Sequence, residues 1–202
     1  RGVFILGLLV LTTGIALALG GGRAPILRAG SPFAPVSREG SLVLNNVFLI
    51  IATGTVFLGT FYPLLIDMLT SDKISVGPPY YNITFVPLVT PLLLAVVLGP
   101  VLKWKRDDGR AALERLRKPA IIAVAILLLV LIASFGRGLI AAFFMGVSAW
   151  LVAGSLLVLV HRMRLGQVGI GQSFHLAHTT PGAYYGQVLA HAGLGLAVAG
   201  IA

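Results

Sequence analysis

The chain has 202 residues, of which 57% are hydrophobic and only 10% charged. Water-soluble domains carry about a quarter charged residues, so a mean hydropathy of +0.99 excludes an ordinary soluble fold and marks an integral membrane protein. The net charge of +9 belongs with membrane sidedness rather than with nucleic acid, which is not an expected partner. The absence of cysteine excludes disulfides, thiol chemistry, covalent thioether attachment to this chain and iron–sulfur ligation.

The chain opens on Arg1 and enters an apolar run at once, with no charged leader and no small-residue cleavage pattern, so no signal peptide is read. It also stops inside an apolar run. Residues 1–202 are therefore expected to be a single bundle cut from a longer protein. Six spans are predicted, at about residues 2–20, 41–67, 84–102, 119–135, 139–160 and 184–202. No period-2 pattern of a barrel occurs, and lipid demands that backbone groups be satisfied within each segment. The fold class is therefore all-α, a polytopic transmembrane helix bundle.

Charge orients the spans. The stretches 23–40, 103–118 and 161–182 hold twelve basic residues, while Arg1, Lys73 and Arg137 are left for the other side. The positive-inside rule puts the twelve in the cytoplasm. The polar stretch SDKISVGPPYYN, residues 71–82, then faces outward. It reads as a loop stiffened by Pro78 and Pro79, with Gly77 allowing a turn. The stretch AALERLRK, residues 111–118, reads as a short interfacial helical turn.

Ionisable groups are nearly absent from the spans, which counts against ion translocation by this segment. His161 lies beside Arg162 and Arg164 and reads as part of an interfacial basic cluster. His175 and His178, three residues apart in QSFHLAHTTPG, lack a third nearby metal ligand and read as a solvated loop. His191 is different, because YYGQVLAHAGLGLAVAG places it inside the sixth span. An imidazole there serves either an interhelical hydrogen bond or an axial bond to haem iron. Small residues around it, Gly186, Ala190, Ala192, Gly193 and Gly195, admit a flat macrocycle or another helix. Asn45 and Asn46, inside the second span, either bond between helices or contact a haem propionate or a quinone head group. Tyr80 and Tyr81 read as aromatic anchors at the interface.

Five stretches, SREGSLVLNN, GTFYPLL, KISVGPPYYN, LGPVLKW and AHAGLGLAVAGI, occur in that order. In this the chain resembles the CcmF family of cytochrome c-type biogenesis proteins, within the haem handling protein superfamily. The resemblance covers essentially the whole chain, and the SVGPPY-type loop and the paired asparagines are its specific parts. It implies a bacterial inner-membrane haem lyase component, holding haem for thioether attachment to CxxCH thiols of apocytochrome c. It further implies a separate b haem for electrons, with His191 as the matching axial ligand, and Tyr80 and Tyr81 as a possible wall of the outward haem site. The implied partners are a periplasmic haem chaperone, apocytochrome c, thiol-reducing and apocytochrome-holding maturation subunits and membrane lipid, with quinol open. The tryptophan-rich WWD region of the family has no counterpart here, since Trp104 and Trp150 stand apart. The chain is thus expected to be a middle-to-late segment, with the catalytic residues outside it. Two alternatives are a b-type haem and quinol oxidoreductase subunit, and half of a secondary transporter. The latter predicts helices with charged or unwound centres, for which the spans carry no sign.

Overall fold

A computed structural model describes residues 2–24, 32–70 and 73–202. Its nine helices among these residues are α1 (Gly2–Arg23), α2 (Arg38–Thr70), α3 (Pro78–Val96), α4 (Leu98–Val101), α5 (Gly109–Arg115), α6 (Arg117–Ala133), α7 (Leu139–Arg162), α8 (Ile170–His178) and α9 (Gly182–Ile201). The described residues contain no strand. Two compact units result, Arg1–Pro32 and Phe33–Ala202. The first holds α1, whose Thr12 hydroxyl donates to the Leu8 carbonyl at 2.8 Å and so needs no outside acceptor.

The second unit is an up-and-down bundle. In it α7 is the central helix, packing along both α6 and α9 and touching α3, which itself packs on α2. Its core is Leu93, Val97, Leu116, Val147, Leu151, Leu157 and Val198. Glycine lets the backbones approach, as small residues do between membrane helices. At Gly154 of α7 a Cβ would collide with the Val97 side chain. At Gly195 of α9 it would lie 2.9 Å from Val152 and 3.1 Å from the Ser148 carbonyl.

Among the described residues, α2, α3 with α4, and α7 are long and apolar enough to cross a membrane. The pair α5 and α6, bent by 55°, makes a fourth if it is one broken span. Six such helices were expected from hydropathy, and α9 falls short for a physical reason. In α9, Tyr184, Tyr185, Gln187 and His191 dilute a helix of sufficient length.

Two loop expectations are corrected. Residues 78–82 are not loop but the first turn of α3, with Gly77 as extended N-cap and Pro78 and Pro79 in the opening positions. Proline suits those positions because their N–H groups have no intrahelical partner. Ser71 and Asp72, which begin that stretch, lie outside the described residues, as do Arg1 and Arg28 of the charge count. Residues 170–178 likewise form α8, which carries His175 and His178, both exposed.

The SREG stretch forms the start of α2. Ser37 is fully buried and caps it, its hydroxyl accepting from the Gly40 N–H at 3.0 Å and donating to the Ala34 carbonyl at 2.6 Å. Such a cap contributes about 1 kcal/mol. Gly40 has no room for a Cβ against the Pro35 carbonyl. Residues 102–108 strap across this helix start. The Arg38 N–H donates to the Lys103 carbonyl at 2.9 Å, the Ala34 N–H to the Lys105 carbonyl at 2.8 Å, and the Asp107 N–H to the Val36 carbonyl at 2.8 Å. Glu39 accepts from the Lys105 N–H at 2.7 Å. Lys105 holds φ at +66°, a left-handed conformation that a side chain tolerates only when its surroundings enforce it. These bonds do so.

Asp107 anchors the strap. Its side chain is 1% exposed and pairs with Arg115 at 2.8 Å. It also accepts from the Lys103 and Asp108 N–H groups at 3.0 and 2.8 Å. The Arg115 hydrogen bond, followed by these backbone donors, holds its carboxyl well below the usual carboxylate range.

Candidate functional site

His191 sits on the third turn of α9, half-buried, and no hydrogen bond or ion pair engages its imidazole among the described residues. It lines a pocket of about 210 Å³ between α2, the end of α3, α4 and α9. The polar groups facing this pocket are Arg38, Ser41 and Asn45 from α2 and Gln187 and His191 from α9. Helical spacing explains the grouping. Residues 38, 41 and 45 share one face of α2, and residues 187 and 191 lie one turn apart on α9.

The strap sets Arg38. Its backbone is tied to Lys103, and its guanidinium lies 5.0 Å from the centre of the Trp104 ring. Stacking on an aromatic face leaves the planar fork free to meet an anion edge-on. Gly99 of α4 brings the third wall close, since a Cβ there would lie 3.0 Å from the Ser41 hydroxyl.

A longer apolar groove of about 690 Å³ adjoins the pocket. Val96 lines both, and Leu49 and Leu194 of the groove follow Asn45 and His191 by one turn. The combined space is polar and cationic at one end and apolar along the membrane. A flat amphipathic ring with acidic substituents has the complementary character. An unpartnered imidazole facing that space is the donor such an iron macrocycle requires, so the residues fit a b-type haem. Among the described residues no cluster of three or more His, Cys, Asp or Glu could form an all-protein metal site.

The structure brings His191 and Asn45 together and separates the other sequence-derived candidates from them. Asn46 is exposed on a different face of α2. Tyr80 and Tyr81 lie at the opposite end of the bundle, edge to face with ring centres 5.1 Å apart. They fill the space over Gly59 of α2, where a Cβ would lie 2.7 Å from the Tyr80 ring, and the Tyr80 hydroxyl donates to the Thr55 carbonyl at 3.0 Å. His161 lies in a separate basic cleft with Arg115 and Arg162. Sequence reasoning missed Arg38, Ser41 and Gln187. Their signal was spacing: Gln187 precedes His191 by four residues, and Ser41 precedes Asn45 by four.

The chain is similar along its whole length to part of several known proteins. Over 201 residues, all of this chain, it is 45% identical to the cytochrome c-type biogenesis protein CycK of Rhizobium meliloti. It is 37% identical to the cytochrome c-type biogenesis protein CcmF of Pseudomonas aeruginosa over 204 aligned residues, and 33% identical to CcmF of Escherichia coli over 202. The chain is homologous to a segment of the CcmF and CycK family. It spans about 30% of the length of these relatives. No protein-family model matches the chain, and no solved structure matches it. In this chain the SREG stretch has the structural duties described above: capping α2, binding the strap and turning Arg38 to the pocket.

Proposed function

We propose that this chain is part of a cytochrome c maturation protein of the bacterial inner membrane, and that its pocket holds a b-type haem serving covalent haem attachment. The observation that carries this reading is the unpartnered, half-buried His191 facing Arg38 and Asn45, in a chain homologous to CcmF and CycK. When bound, the haem would supply one-electron transfer. His191 would bind the iron through a neutral imidazole, Arg38 would neutralise a propionate, and Asn45 and Gln187 would donate to its remaining oxygens. The apolar walls of α2, α3 and α9 exclude water from the rest of the ring.

The reaction served is addition of an apocytochrome thiol across a haem vinyl group. Sulfur bonds one vinyl carbon and hydrogen ends on the other, so attachment itself consumes no electrons. Electron supply keeps iron and thiols reduced until then. The substrates are haem delivered by a periplasmic chaperone and apocytochrome c presented by thiol-reducing partners. Tyr80 and Tyr81 act as a scaffold at the attachment end. Deleting the gene for the whole protein should abolish haem-staining c-type cytochromes and leave b-type cytochromes intact. Retention of c-type haem would instead favour a quinol-oxidising b-type subunit.

In this reading all six apolar helices cross the membrane, with residues 103–118 and 161–182 in the cytoplasm. In the bundle these two stretches share an end: Arg115 of the first lines one cleft with His161 and Arg162 of the second. The cysteine-free chain makes the test simple. An impermeant thiol reagent applied from outside should label a cysteine placed at Gly138 and spare one at Gly109. The opposite pattern would invert the topology.

A further inference from the structure

A second polar cavity, of about 250 Å³, opens at the basic end of the bundle, on the side of α4 away from His191. Its floor is Pro100, Val101 and Val158, and its rim is Arg115, His161 and Arg162. We propose that this cleft binds the phosphodiester headgroup of an anionic phospholipid.

Three observations carry the assignment. First, the cationic charge is only partly spent. Arg115 is offset by Asp107, but its bonds to that carboxylate and to the Val101 carbonyl use three of its five N–H groups. Arg162 has no carboxylate partner among the described residues, and the His161 imidazole has no hydrogen bond there. Second, Arg162 is held ready: its guanidinium lies 5.1 Å from the centre of the Tyr184 ring. That contact over the ring face leaves its N–H donors free for phosphate oxygens. Third, the cleft lies where α7 and α9 pass from apolar to polar sequence, which is headgroup depth. A basic pocket between membrane helices at that depth with an apolar floor matches a lipid, whose chains follow the floor into the bilayer. A free phosphate has no use for the floor.

Because α4, α5, α7 and α9 all contribute, the headgroup clamps four helix ends. Pro100 lines both this cleft and the His191 pocket, so the lipid braces the wall of that pocket.

The test uses the purified full-length protein in nanodiscs of phosphatidylcholine with phosphatidylglycerol, followed by native mass spectrometry of the lipid that stays bound. The parent should retain phosphatidylglycerol in preference to phosphatidylcholine. Arg162→Gln with His161→Gln should lower that retention about fivefold, as expected for loss of a basic contact at a membrane surface. Arg162→Lys should keep most of it, and Arg137→Gln, at the other end of the bundle, should change nothing. Millimolar inorganic phosphate should not displace the lipid. No preference in the parent protein, equal loss in Arg137→Gln, or full displacement by phosphate would each overturn the proposal.

Discussion

In the full-length protein, His191→Ala is expected to abolish the low-spin b-haem spectrum and to cut the yield of holocytochrome c. The protein itself should still accumulate in the membrane. Polar groups that merely support a metal ligand typically cost 10–100-fold in affinity when removed. Loss of the ligand itself should therefore cost at least about 100-fold. The fold should tolerate the change. The imidazole bonds to no other described group, and its pocket already contains free volume, so alanine leaves no buried partner stranded. Arg38→Gln should act in the same direction but less, because in the proposed arrangement the guanidinium would meet a propionate and not iron. His175→Ala and His178→Ala should change neither readout, since both side chains are exposed on α8. An unchanged low-spin spectrum at full haem stoichiometry in purified His191→Ala would return the histidine to a role in helix packing.

How much of this was legible depends on which force left its mark on the sequence. Helix existence was legible, because lipid requires long apolar runs, and α7 at Leu139–Arg162 departs little from the reading of 139–160. Helix rotation was not. These helices are apolar almost all round, so the same leucines and valines serve the core and the lipid, and no stripe tells which face meets which neighbour. The pocket was legible only through its polar exceptions. His191 and Asn45 stood out one at a time, and their convergence depends on α9 and α2 facing one pocket, beside the end of α3 and α4. Arg38 was hidden differently. It was counted as one charge among twelve, and only the strap with Trp104 gives it a direction. The Gly-Pro-Pro stretch was read as loop because proline breaks helix interiors, whereas at the first turn it starts one.

Gly154→Leu is expected to destabilise the assembled protein through a tight helix contact that lies outside the His191 pocket. Val97, at the junction of α3 and α4, is 2% exposed and its methyl groups lie where a Cβ of residue 154 would be. Neither side can yield easily: Val97 is a stiff β-branched residue, and Gly154 is followed by Ser155, buried and bonded to the Leu151 carbonyl at 2.6 Å. Overpacking of this kind costs about 1–3 kcal/mol. The shift per kcal/mol shrinks as chain length grows, and this chain is about 30% of the length of its relatives, so the melting temperature of the full-length protein in detergent should fall by about 1–2 °C. The loss should be specific to the contact. Gly154→Ala combined with Val97→Ala, which removes the opposing methyls, should recover part of what Gly154→Ala alone loses. Gly193→Leu serves as the contrast, because nothing within 4 Å meets a Cβ there. Thermal unfolding followed by size-exclusion chromatography decides the matter. An unaltered melting temperature in Gly154→Leu would show that α7 does not pack on the α3–α4 junction as described. A collapse confined to Gly193→Leu would show that the open face of α9 is covered by the remainder of the protein.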